Sequence, residues 1–217
     1  MARSAPEQRH VRPAPEPRPR LTLRLSSFLS LITRDVGDQL RSLDGHRHRD
    51  FDFYAPFRDA LRAYAIEGLG RGEALEGIEA TSTQSMLRRN GEVFERVADW
   101  LDRQGGRMVP PPSGVWRAPG GALEIEVAPE IAIEGRHGRL DVIAVYGREA
   151  PRLRRDQAGA VARIMGETFA DIDGATFGVL DAEAGQVLRT PTAFSDRVLE
   201  AELRVITEEL GAKARRM

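Results

Sequence analysis

The string Asp44-Gly45-His46-Arg47-His48-Arg49-Asp50-Phe51-Asp52 alternates possible metal ligands with other side chains. In an extended segment residues two apart share a face, so His46, His48 and Asp50 could meet one metal ion through imidazole and carboxylate groups. Against that reading, Arg47 and Arg49 bring positive charge beside the ion, and a polar run between two helices is expected of any connection. A second set is acidic: Glu124, Glu126, Glu130 and Asp141 fall on neighbouring extended segments. Converging carboxylates can hold Mg²⁺ or serve as acid and base, whereas the solvent face of an amphipathic sheet looks the same in sequence. Asp141 stands apart because it interrupts the most apolar stretch of the chain, Leu140 to Tyr146, where an unpaired charge is costly. It therefore needs a partner, such as Arg139 or Arg148, or a place at the exposed end of its strand.

Composition removes several other chemistries. The chain has 217 residues, no Cys, and a formal charge of −1. Without Cys there is no disulfide, thiolate nucleophile, iron–sulfur cluster or cysteine-based zinc site. The basic residues are 31 Arg and one Lys, Lys213, close to the last residue, so a phosphate-loop, Schiff-base or kinase-type lysine inside the fold is excluded. No Ser sits in a nucleophile-elbow context, and His10 and His137 stand alone. Near-zero charge argues against a surface that attracts nucleic acid as a whole.

Residues 1–20 are rich in Pro, Arg, Ala and Glu and nearly lack large apolar side chains, the composition of a disordered basic tail. Six Arg and two Glu within residues 1–25 make that end +4, able to touch RNA, DNA or an acidic partner. There is no secretory h-region and no run of about eighteen apolar residues, so a cytoplasmic location with no membrane contact is expected.

The elements that must position these residues follow from hydrophobic period. Phe28, Leu31, Ile32, Val36, Leu40 and Leu43 predict one amphipathic helix from Ser26 to about Gly45. Phe53, Phe57, Leu61 and Tyr64 predict a second, with Pro56 in its first turn, and Met86 to Leu101 a third from about Thr83 to Gln104. Between those two, Gly68 to Gly77 argues against a regular element. After Pro110-Pro111-Pro112 the period becomes two: Leu123–Val127, Ile131–Glu134 and Arg139–Tyr146 read as strands, the last central in its sheet. A helix over about Asp156–Ile172, strands Ala175–Leu180 and Gln186–Arg189, and a helix from about Thr192 stopped by Gly211 complete the order. The expected fold is α+β: a single domain over 21–217, its helical part (26–104) packed with a mainly antiparallel sheet (115–217) in the order helix, three strands, helix, two strands, helix. Phe51, Phe53, Tyr54 and Phe57 form either a stacking platform or, as is commoner, an anchor of the helical part on the sheet.

That element order, with Pro129-Glu130 followed by Asp141, resembles the restriction-endonuclease-like PD-(D/E)xK fold over roughly residues 85–181. The resemblance implies Glu130 and Asp141 as metal-holding acids, with Glu124 or Glu126 assisting and Mg²⁺ as cofactor. Its lysine position is Ile143, which cannot orient or activate water, so the resemblance is to a degenerate core. The segment Phe51 to Leu61 also resembles one seen in uncharacterised bacterial proteins and implies no activity. With no complete catalytic set, the expectation is a non-catalytic interaction or accessory protein needing no cofactor, its partner another protein or, through the basic tail, a nucleic acid. The alternative is a metal-dependent nuclease-like enzyme or a nucleic-acid-binding protein with a degenerate core of the PD-(D/E)xK type.

Overall fold

Leu21 and Leu23 alternate with Thr22 and Arg24, and this period of two makes a short strand, β1 (Leu21–Arg24), at the start of the computed structural model. The structure describes residues 21–46, 52–189 and 193–214, so the basic tail and most of the histidine string lie outside it. Helix α1 (Leu25–Ile32) follows directly and buries Phe28, Leu29, Leu31 and Ile32. The predicted single helix is in fact two. The Thr33 hydroxyl turns back onto the Ser30 carbonyl, and Asp35 Oδ1 accepts the Asp38 N–H at 2.9 Å, capping α2 (Val36–His46). Val36, counted in the apolar stripe, is consequently 54% exposed.

Helix α3 (Ala55–Ala65) carries Pro56 in its first turn, where no N–H is missed. Helix α4 (Arg71–Thr81) fills the glycine-punctuated stretch. Burial of Ala74 and Ile78 and the reach of Arg71 to Asp99 and Asp102 outweigh the low propensity of Gly72 and Gly77. Helix α5 (Gln84–Leu101) presents Val93, Phe94, Val97 and Trp100 to the core.

Among the described residues eight strands build two mixed sheets in place of the one expected. The first has the order β1-β4-β3, with β3 (Gly114–Arg117) antiparallel and β1 parallel to β4 (Leu123–Val127). The second has the order β2-β5-β6-β7-β8: β2 (Arg107–Met108), β5 (Ile131–Glu134), β6 (Leu140–Tyr146), β7 (Thr176–Asp181) and β8 (Gln186–Leu188). Only β6 and β7 run parallel there, joined through α6 (Arg155–Thr168), as parallel neighbours require a crossover. Helix α7 (Ala193–Ala214) runs through Gly211 instead of stopping at it.

As predicted, β6 is central, between β5 and β7, and its period of two divides the molecule. Val142, Ala144 and Tyr146 enter one core, with β1, β4, α1, α6 and α7. Ile143 and Val145 enter the other, with Phe57, Leu61, Ile78, Phe94 and Trp100 from the α3–α5 layer. Phe57 thus anchors the helical part on the sheet, while the Phe53 and Tyr54 rings meet edge to face at 5.1 Å. Trp100, Phe169, Val142 and Ile164 are buried; Phe177 and Leu203 pack only partly buried against the first core.

Candidate functional site

Strand β6 ends at Tyr146, and the chain continues through Gly147 to Arg148 on the rim of a cleft. A Cβ on Gly147 would lie 2.9 Å from Val93 Cγ2, so only glycine lets the chain turn past α5 here. The Gly147 carbonyl accepts a hydrogen bond from Arg89, which also pairs with Glu183 at 3.0 Å. The polar side of α1, with Ser26 and Ser30, and the α1–α2 connection carrying Arg34 also line the cleft. Tyr54, just before α3, and Glu130, just before β5, line it as well. The cleft, open to solvent, has a volume of about 980 Å³. A smaller groove of about 500 Å³ adjoins it and shares Arg24, Asp52, Glu126 and Glu130.

Most charges around the cleft are neutralised in pairs. Asp52 is clamped by Arg24 and Arg58 and accepts the Tyr54 N–H at 3.1 Å. Glu126 lies 3.9 Å from Arg24, and Asp38 pairs with Arg41, which holds its carboxyl below the usual range. Arg34 and Arg148 line the cleft without an ion pair among the described residues. Burial pushes the half-buried Arg148 guanidinium below its ordinary value, and the like charges of Arg34 and Arg89 act in the same direction.

Glu130 is the other unusual group. Its Oε2 accepts the Val145 N–H at 2.8 Å, and burial raises its carboxyl to about 7 against the opposing effects of that bond and of Arg58. Part of its surface reaches the cleft. It therefore titrates near neutral pH, where it can accept or donate a hydrogen bond.

The sequence candidates are distributed unevenly about this cleft. Ile131 pairs with Ile143 and Ile133 with Asp141, so Glu130 stands level with Ala144, on the order of 10 Å along the strand from Asp141. These two acids are not brought around one ion, which needs each oxygen at about 2.1 Å. Asp141 is engaged at the other end of β6 by Arg189 and by the Thr176 hydroxyl at 2.8 Å, in place of the expected Arg139 or Arg148. Ile143, the lysine position of the resemblance, is fully buried in the α3–α5 core. Glu126 does join Glu130 at the cleft, while Glu124 pairs with Arg117 at 3.0 Å. The donor set Asp52, Glu126 and Glu130 fits Mg²⁺ poorly, because Asp52 Oδ2 already meets two arginines, whose charge opposes a cation, and its Oδ1 accepts the Tyr54 N–H. The side chain of His46, with His48 and Asp50, lies outside the described residues. His137 sits in a turn with φ of 63°. Arg34 was not singled out by sequence, and Arg148 was noted only as a charge near Asp141; the signal available was its place just beyond the end of the most apolar strand.

No protein-family model and no curated protein matches the chain. Among solved structures, the crystal structure of SSO0001 is similar over 78% of this chain and 84% of that one, at 11% identity and a TM-score of 0.32.

Proposed function

We propose that the chain is a non-catalytic binding protein, an accessory module that receives its partner in the cleft beyond the carboxyl end of β6. The observation that carries this reading is the pairing of charges. The acids a metal-dependent hydrolase would use are clamped by arginines or set apart along β6, while two arginines facing the cleft are left for a ligand. The position supports it as well, since crevices outside the carboxyl ends of parallel strands are where α/β crossovers leave room for ligands. Among the described residues no helix is long and apolar enough to cross a membrane, and the reading sets the protein to work in the cytoplasm. The basic segment 1–20 would add a salt-dependent contact to a nucleic acid or an acidic protein.

The nuclease-like alternative keeps one supporting observation, the shared groove of Glu126, Glu130 and Asp52. The test is incubation of the full chain with single- and double-stranded DNA, RNA and nucleoside triphosphates in Mg²⁺ or Mn²⁺. The non-catalytic reading expects turnover no greater than that of Glu130→Gln or Asp141→Ala. Hydrolysis by the wild type that both substitutions abolish would replace it with the enzyme.

A further inference from the structure

Arginine stays charged at any ordinary pH, so a guanidinium taken partly out of water is costly unless an anion meets it. Arg148 is in that position: half-buried, flanked by the like charges of Arg34 and Arg89, and without a carboxylate partner among the described residues. Every other arginine named on the cleft has its acid, Arg24 with Asp52 and Arg41 with Asp38. Arg89 has Glu183. The uncompensated charge on the cleft is therefore local: Arg148 has no acid, and Arg34, whose charge also bears on Asp38, makes no ion pair of its own among the described residues.

We propose that the cleft binds a small phosphorylated ligand, its phosphate held between Arg34 and Arg148. The proposal rests on the reading of the cleft as a binding site and adds the class of ligand. A guanidinium offers five N–H donors in a planar fork; one carboxylate can meet two guanidinium groups, as Asp52 does, but brings a single charge against their two, whereas a phosphate dianion matches both charges and has oxygens for both forks. The walls add the hydroxyl-bearing Ser26, Ser27 and Ser42. A volume of about 980 Å³ is that of a small-molecule site, with room beyond the phosphate for a body that reaches Glu130. A nucleic-acid track is disfavoured by Asp38, Asp52 and Glu126, which line the same space and would repel successive phosphates.

The experiment is calorimetric titration of the full chain with inorganic phosphate, pyrophosphate and a single-stranded DNA 20-mer, with melting temperature measured in parallel. Arg34→Gln and Arg148→Gln are compared with wild type, and Arg136→Gln, on the exposed turn before β6, is the control. The expected result is saturable binding of pyrophosphate, weakened at least about tenfold by either cleft substitution, unchanged by the control and reduced by added salt. Should Arg148→Gln fail to fold, Arg34→Gln, on the half-buried helix connection, carries the comparison alone. No pyrophosphate binding by the wild type, or equal binding by the cleft variants, would overturn the proposal. So would binding of the 20-mer that either cleft substitution weakens and pyrophosphate does not displace. Binding accompanied by turnover of nucleotides would refute the non-catalytic reading while leaving the phosphate site standing; absence of both binding and turnover would do the reverse.

Discussion

Replacing Glu130 by Gln should change how stability depends on pH, and the direction follows from burial. The carboxyl titrates at about 7 in the folded chain, raised from 4.5 chiefly by desolvation. As pH rises through about 4.5 the unfolded chain loses this proton while the folded chain keeps it, so stability falls until the folded group also ionises near 7, and is level above that. The difference corresponds to about 3 kcal/mol between pH 4.5 and 8, a ceiling because part of Glu130 still reaches the cleft. Gln keeps an oxygen to accept the Val145 N–H and has no charge to desolvate. Denaturant titrations at half-unit steps from pH 5 to 8.5 should show Glu130→Gln gaining on wild type by about 2–3 kcal/mol across the range, with most of the gain complete by pH 7.5. Glu202, also raised by burial, contributes the same slope to both proteins and cancels in the comparison. A difference independent of pH, or one that shrinks as pH rises, would refute the desolvated carboxyl.

Trp100→Ala empties a site 6% exposed in the α3–α5 core and should cost about 3–5 kcal/mol by denaturant unfolding. Gly147→Ala brings a methyl to 2.9 Å from the fully buried Val93, whose β-branched side chain has essentially one rotamer in a helix and cannot give way; a loss of about 1–3 kcal/mol is expected, read as a lower melting temperature. Asp141→Asn removes a partly exposed ion pair with Arg189 and should cost no more than about 1 kcal/mol, leaving pyrophosphate titration of the cleft unchanged.

The strands around β6 were legible because their alternation is strict. Leu123, Ile125 and Val127 face inward with the glutamates outward, and the doubly apolar Leu140–Tyr146 announces a strand covered on both faces. What the period could not reveal was decided by single polar groups or by distant packing. Asp35 capping α2 divides a stripe that reads as continuous, and the packing of Ile78 holds α4 together despite its glycines. The four-residue strands β1 and β3 give too few alternations to stand out from the tail and loop beside them, so the sequence alone does not reveal a second sheet. The cleft was half legible. Glu130 stood out as an acid, and the resemblance then paired it with Asp141, although the strand register separates them. Arg34 and Arg148 are two of 31 arginines and lie far apart in sequence; only packing of α1 against β6 brings them to one space.

The most direct test of the cleft as the binding site is a map of backbone amide chemical shifts during titration of the ¹⁵N-labelled full chain with pyrophosphate. Changes that saturate together at Ser26, Ser27, Arg34, Tyr54, Gly147 and Arg148, with the Asp141 and Arg189 amides unmoved, are the predicted result. Changes centred on the Asp141 end of β6 or on α7, with the amides of Arg34 and Arg148 silent, would contradict it.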